Sequence, residues 1–592
     1  MQNLYSIGNL IKNLKKYRKE LIVANLIAVL ATIVSVPSPL LIPLLVDEVL
    51  LNKPGFIVHT VDSIFGKHEA YFYVLTVLVT TIFLRALFFL LSVLQSKIFK
   101  IISKDITFEL RKKVLKHIER TALSEFETFG SANISSRLIV DINTIDNFLS
   151  VSVSRFIISV LIIAGVAVVL LFIHWQLALF ILFLNPFVVL ISTKLARRVG
   201  KLKKEENKRF EVFTEALNET LDLFRQIKAA NKERFFINKV IKEAEKIKDA
   251  SVNFEFKTDA ATKFSYFIFL AGFEIFRAAG ILMVFYSDLS IGLMLAVFGY
   301  LWVMMSPIQE ILNIQYAYHS ADSALKRINK VLNLKKEPSY PHLKNPFENS
   351  KTNSVKLENV TFSYEKGEKV LDSVSMKVEK GSKVALIGAS GSGKTTLAQI
   401  MVGFYPIEEG ELFYDGINVK EIGLDVVREH VYLVLQNPQL LNGTILDNLT
   451  FGKKFSEDKI WKALKIAQLD DFIKSLKKGL QTHIGKDGIK LSGGQRQRLS
   501  IARMILAEPN VVILDESTSA LDVYTEESLF EALLSEFLKE RTTIIIAHRL
   551  STIRQADYIY VLDKGKIIEE GTQEFLMKKE GVFCEFLSKG RG

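Results

Sequence analysis

Long uncharged apolar runs alternate with charged segments through the first half of the chain, and the alternation stops near residue 333. Residues 21–46 contain no charged side chain. As a helix rising about 1.5 Å per residue, that run crosses a hydrocarbon core about 30 Å thick. Pro37, Pro39 and Pro43 fall in its outer half. Each removes a backbone donor, so a kink is predicted unless neighbouring helices satisfy the freed carbonyls. Further apolar runs lie at 71–96, interrupted by Arg85, and at 156–173, 177–193, 264–286 and 289–306. Six membrane spans are predicted.

Basic residues near the span ends set the orientation, because cytoplasmic loops retain Lys and Arg. Lys12, Lys15, Lys16, Arg18 and Lys19 precede the first span, whereas 51–70 holds only Lys53 and Lys67. That loop and the short turns at His174–Gln176 and near Asp288 therefore face outward. The long charged segments 97–155 and 194–263 face the cytoplasm, as helical extensions of the spans. Both termini are expected in the cytoplasm, in a multi-pass protein of the cell inner membrane. The first twenty residues are polar and Lys-rich and the run after them is too long for a signal h-region, so the first span is expected to stay uncleaved.

Composition agrees with a membrane protein. Hydrophobic residues make up 49% of the 592, and 42 are Phe, more than several small water-facing cores need. The net charge of +12 reads as the orientation signal rather than as a nucleic-acid surface. A single cysteine, Cys584, excludes an intrachain disulfide and a Cys-rich metal site.

Residues 333–353, with Pro338, Pro341 and Pro346, read as a linker. From 354 onward, β-branched runs at 383–387, 431–435, 511–514 and 542–546 alternate with helical patterns, the signature of an α/β domain. The expected organisation is an α-helical six-span transmembrane domain over 1–332 and an α/β P-loop nucleotide-binding domain over 354–592. No internal repeat is visible, so a pair of such units requires two chains.

The run 383–387 leads into Gly388-Ala389-Ser390-Gly391-Ser392-Gly393-Lys394-Thr395 and then a helical pattern. Glycines let backbone N–H groups wrap a phosphate at the helix start, Lys394 adds a positive charge, and the Thr395 hydroxyl suits magnesium. Gly388, Ser390, Gly391, Gly393, Lys394, Thr395 and Thr396 are thus candidate contacts to ATP. The apolar run 511–514 ends in Asp515 and Glu516. Asp515 is a candidate magnesium ligand through water, and Glu516 the group that polarises an attacking water. Between the P-loop and that carboxylate pair, Leu491-Ser492-Gly493-Gly494-Gln495 opens a helix, an arrangement suited to anions.

With the P-loop before it and Asp-Glu after it, that pentapeptide closely resembles the signature of the ATP-binding cassette (ABC) superfamily. Six spans followed by one nucleotide domain resemble the half-transporter layout of bacterial exporters of the lipid-flippase and multidrug type. The resemblance implies an A-loop aromatic at Tyr364 stacking on adenine, and a Q-loop residue at Gln436 touching magnesium and the attacking water. It also implies a D-loop at Asp522 and a switch histidine at His548 near the γ-phosphate. It further implies that Ser492, Gly493, Gly494 and Gln495 face the ATP held by Lys394 of a second chain, so the working unit is a dimer, expected to be a homodimer. Lys486 stands where such exporters commonly carry Glu, and Ser517 where Ala is common. Segments 126–133 and 216–226 occupy the positions of coupling helices.

Arg85, Glu274 and Arg277 interrupt the apolar runs, and a central membrane charge costs about 3 kcal/mol on insertion scales. Glu274 and Arg277 stand three apart and so share a helix face, which permits pairing. Alternatively the arginines line a positive cavity that, with Lys194, Arg197 and Arg198, accepts an amphipathic anion from the inner leaflet. The expected function is ATP-driven export of a hydrophobic or amphipathic substrate such as a lipid, lipid-linked saccharide or drug. A peptide exporter and an ATP-gated channel or regulator on the same scaffold are the alternatives. Six spans exclude a soluble ATPase of DNA repair or translation, and fusion of spans to ATPase disfavours an importer.

Overall fold

The structure, a computed structural model, describes residues 6–589 apart from 54, 288, 365–366, 486–487 and 548–552, with no side chains described at 11, 13, 14, 181–200, 204, 312 and 587–589. The chain divides into two compact units, Met1–Lys116 with Ala132–Asn333 and His117–Ser131 with Leu334–Gly592.

In the first unit the opening run breaks where its prolines fall. The helix Arg18–Ser35 stops, Ser38–Leu45 resumes, and a π-helical turn Val46–Leu50 follows. The break frees the Val36 carbonyl, which accepts a hydrogen bond from the buried Tyr300 hydroxyl at 2.6 Å. A neighbouring helix thus supplies the donor that Leu40 gives instead to Pro37. The long helices are Ala70–Ile118, Val153–Ile173, Trp175–Asp222, Glu233–Tyr286 and Ile291–Leu332. Among the described residues, five helical stretches are long and apolar enough to cross a membrane. The run 177–193 lies in Trp175–Asp222, where side chains from 181 are outside the description.

The segment between the first two long apolar stretches, expected to be a loop, contains a helix Phe56–Phe65. Glu48 accepts hydrogen bonds from the Ile57 and Val58 amides at 3.1 and 2.7 Å, capping its N-terminus. Adjacent Asp47 accepts from the Gly292 amide at 2.9 Å and from the Ser290 hydroxyl, at the start of Ile291–Leu332. Both carboxylates are buried.

The second unit holds two sheets. Strands β1 (Val355–Phe362), β2 (Leu371–Val378), β4 (Glu409–Tyr414) and β5 (Ile417–Asn418) form an antiparallel sheet in the order β2-β1-β4-β5. Strands β3 (Lys383–Ile387), β6 (Val431–Val434), β7 (Val511–Asp515), β8 (Thr542–Ile546), β9 (Tyr558–Asp563) and β10 (Lys566–Gly571) form the second, ordered β10-β9-β3-β8-β7-β6. All pairs in it are parallel except β9–β10. Strands β7 and β8 are buried throughout, which explains their unbroken apolar runs.

Residues 345–353 pack into this unit. Phe347 is 2% exposed and stacks on His430 at 4.8 Å, while Asn510 donates to Asn353 at 2.9 Å. The segment His117–Ser131 also belongs here. Its helix is Leu123–Phe129, ended by Gly130 at φ +82°, three residues earlier than the expected 126–133. At the second expected turn, Trp175–Asp222 continues through 216–222 and a short helix Phe224–Ala229 follows.

Candidate active site

Strand β3 delivers the P-loop to the start of the helix Lys394–Met401. Glycine is required at two of its turns by both conformation and space. A Cβ on Gly388 (φ +150°) would lie 2.0 Å from the Leu562 carbonyl oxygen, and one on Gly393 (φ +104°) 2.9 Å from that of Val370. At Gly391 nothing lies within 4 Å. The loop is therefore backed by strands on one side and open on the other, a cradle fit for a polyphosphate. Lys394 is buried, and its Nζ donates to the Gly388 and Ala389 carbonyls at 3.0 and 2.8 Å. Burial pushes its pKa down, against the opposing pull of Glu516 and Asp515.

The next strands bring the carboxylates to the same edge. Asp515 is 3% exposed at the end of β7. Glu516 follows with φ +44°, its amide bonded to the Ile546 carbonyl of β8. Gln436, just past β6, donates its side-chain amide to Glu516 Oε2 at 2.6 Å. Thr395 is exposed in the first turn of the P-loop helix, and Thr396 is buried behind it. Thr395, Gln436 and Asp515 are all oxygen donors. That set suits magnesium, which keeps several waters and needs few protein ligands. Among the described residues no group of three His, Cys, Asp or Glu gathers to hold a metal alone.

The signature turn is built as a capping box. Gln495 N donates to Ser492 Oγ at 3.2 Å, and Ser492 N donates to Gln495 Oε1 at 2.9 Å, at the start of Gly493–Ala507. Gly493 and Gly494 pack on Ala520 and Leu521, where a Cβ on Gly494 would meet Leu521 Cδ2 at 2.7 Å. Asp522 caps the helix Val523–Glu536 through the Thr525 amide at 2.9 Å. That amide, chiefly, holds its carboxyl below the ordinary value.

Tyr364 lies beyond β1, half exposed, with its hydroxyl 2.9 Å from Thr396 Oγ1. Its ring meets Tyr405 edge-on at 5.3 Å. His548 and Lys486 lie outside the described residues.

Sequence reasoning missed Gln497. Its amide nitrogen donates to the Gln436 carbonyl at 3.0 Å and to Ser519 Oγ at 3.1 Å, and its oxygen accepts from Ala520 N at 2.9 Å. One side chain thus ties the signature helix to the segments carrying Gln436 and Asp522. Nothing in the spacing of Gln495, Arg496 and Gln497 marks the third residue.

In the first unit, Arg277 pairs with Glu274 at 2.6 Å. Arg85 lines a cavity of about 530 Å³ together with Ser38, Ser159, Arg155 and Glu310, the last two paired at 3.1 Å. The side chains of Lys194, Arg197 and Arg198 lie outside the described residues.

Residues 21–308 match the ABC transporter transmembrane region, and 371–519 match the ABC transporter family. The chain is 30% identical over 493 residues to an ATP-dependent lipid A-core flippase of Legionella pneumophila (strain Paris), covering 82% of each chain. It is 30% identical over 546 residues to a multidrug resistance-like ATP-binding protein, MdlB, of Buchnera aphidicola, covering 90% of this chain and 91% of that one. Its fold is similar to that of a bacterial Atm1-family ABC exporter with ATP bound, with a TM-score of 0.80 at 24% identity, over 97% of this chain and 99% of the other. With membrane helices and an ATP-binding domain on one polypeptide, the chain belongs to the ABC transporter family.

Proposed function

We propose that the protein is an ATP-driven exporter or flippase that moves a hydrophobic or amphipathic substrate, a lipid or a drug, from the cytoplasmic side outward. The observation that carries this reading is the convergence of the P-loop, Asp515, Glu516 and Gln436 on one sheet edge, in a chain that also carries its own membrane helices. The relatives' names support a lipid or drug substrate.

Lys394 and the P-loop amides bind the phosphates, and Tyr364 offers its ring to adenine. Glu516 accepts the proton of the attacking water, and Gln436 orients Glu516 through their hydrogen bond. Magnesium, held by Thr395, Gln436 and, through water, Asp515, would neutralise phosphate charge. His548 contacts the γ-phosphate in this reading. Two copies of the chain form the unit, with Ser492 and Gly494 of each meeting the nucleotide of the other. Residues 1–332 form the membrane domain and 354–592 the ATPase, with both termini in the cytoplasm. The cavity beside Arg85 gives the substrate a polar headgroup site, since two arginines there face one glutamate.

Reconstitution tests the reading. Purified protein in phospholipid vesicles is expected to move a fluorescent short-chain phospholipid across the bilayer only with ATP and magnesium. Ion conductance without lipid movement would make it a channel instead.

A further inference from the structure

One face of the helix Ala70–Ile118 changes chemistry where the apolar run ends. Its packed face buries Gln95, Phe99, Ile102 and Ser103 in the first unit. On the other side Phe89, Val93, Lys97, Lys100 and Lys104 follow one another at steps of three or four, so they form one stripe along the helix. All five are exposed. The stripe lines an open groove of about 720 Å³, with Ser96 between its apolar and basic halves.

The dimensions are those of a leaflet. From Phe89 to Lys104 the helix rises about 22 Å, close to the depth of half a bilayer with its headgroups. Lys97 is the first charge after the run 71–96. Lys97 and Lys100 stand about 4.5 Å apart along the axis, within a single headgroup layer. Their apolar stems let both ammonium groups reach that layer from the helix surface.

The two lysines are also uncompensated. Lys104 is held by Asp146 at 2.7 Å, and Asp146 accepts from the buried Ser103 hydroxyl as well. Lys97 and Lys100 have no ion-pair partner among the described residues. Asp105 lines the cytosolic end of the groove, more than a turn beyond Lys100. A second basic segment stands beside it: Tyr17 is within electrostatic reach of Asp105 and Glu109, and Lys16 sits over the Tyr17 ring at 5.9 Å. Lys15, Lys16, Arg18 and Lys19 are all exposed. The nearby carboxylates therefore have cations of their own, and the field at Lys97 and Lys100 stays positive.

We propose that Lys97 and Lys100, with the apolar groove next to them, bind an anionic phospholipid of the inner leaflet, its phosphate on the two ammonium groups and an acyl chain along Phe89 and Val93. The order of chemistry along the stripe is the order along such a lipid. The site shares no lining residue with the cavity beside Arg85. It depends on the helix crossing a membrane and not on what the protein moves.

The test uses the full-length protein in phosphatidylcholine vesicles containing a trace of photoactivatable phosphatidylglycerol, or of phosphatidylcholine carrying the same reactive group, followed by mapping of labelled peptides. A basic side chain at an anionic surface contributes about fivefold, so two give about thirtyfold. Labelling of 89–104 is expected to favour phosphatidylglycerol by about that factor. The preference should fall to within about twofold in Lys97→Gln/Lys100→Gln, and by about fivefold in each single variant, which carries the test if the double variant does not fold. Lys97→Arg/Lys100→Arg should keep most of it, and Arg85→Gln all of it. Salt at about 1 M, where screening acts within about 3 Å, should shrink it. Equal labelling by the two lipids in the parent, or a preference that survives the loss of either lysine, overturns the proposal. So does a stretch 89–104 that neither lipid labels, the result expected if a second copy of the chain covers this face.

Discussion

The amide of Gln436 donates to the carboxylate of Glu516 at 2.6 Å, so the strand-end glutamate is held by a residue from the neighbouring strand's exit loop. The bond fixes the orientation of the carboxylate that is proposed to accept the proton. Glu516→Gln is expected to retain ATP binding and lose nearly all turnover, because an amide cannot accept that proton. ATP-bound dimers should then accumulate on size exclusion. Hydrolysis near the parent rate would remove Glu516 from the role.

Gln497 makes three hydrogen bonds to two other segments of the site. Gln497→Ala leaves the Gln436 carbonyl and the Ala520 amide without these partners, at a cost of about 1–3 kcal/mol. In the proposed function Gln436 serves the catalytic step rather than the holding of ATP, so turnover should fall more than ATP affinity. Steady-state kinetics alongside thermal unfolding would show a lower kcat, a nearly unchanged KM and a lower midpoint.

These two residues mark the boundary of what the sequence discloses. The P-loop, Asp515-Glu516 and the signature turn are contiguous, and their chemistry follows from local order on strands and helix starts. The proline break is legible for the same reason, since Pro37 acts on its own helix. Gln497 and the Phe347–His430 stack depend on partners between 22 and 83 positions away, which no local pattern encodes. The helix Phe56–Phe65 escaped because it is capped from outside by Glu48 rather than by a residue at its own start.

Lys394 provides a pH-dependent signal. Its pKa is lowered from 10.5 by burial, so the unfolded chain holds the proton more tightly. Stability from this group therefore rises with pH between the lowered value and 10.5. ATP phosphates beside the ammonium favour its charged form, which predicts proton uptake on ATP binding within that window. Calorimetry in buffers of different ionisation enthalpy should give a buffer-dependent heat that Lys394→Met abolishes.

Asp47 and Glu48 are neighbours in sequence yet hold different helices. Asp47 serves the start of Ile291–Leu332 and Glu48 the start of Phe56–Phe65. Asp47→Ala should lower the unfolding midpoint of the purified protein, the loss of such a cap costing about 1–2 kcal/mol. Glu48→Ala should instead leave the midpoint closer to the parent's and speed amide exchange between Phe56 and Phe65. Equal global effects from the two variants would count against separate duties.

Arg277 and Glu274 stand 2.6 Å apart on one helix face, with their side chains 51% and 56% exposed. In an apolar span each charge tolerates its place because the other is there. Removing Arg277 alone strands a carboxylate that costs about 3 kcal/mol at mid-membrane, whereas removing both removes the cost. Arg277→Ala should therefore reduce folding yield and thermal midpoint, and Glu274→Ala/Arg277→Ala should recover most of the loss. Arg85 differs, because it lines a cavity with the Arg155–Glu310 pair rather than closing an ion pair on its own helix. Arg85→Gln should leave the midpoint nearly unchanged and weaken binding of anionic amphiphiles, measured with phosphatidylglycerol against phosphatidylcholine in native mass spectrometry. A double variant at 274 and 277 as unstable as Arg277→Ala would show that the pair is not what keeps these charges in the span.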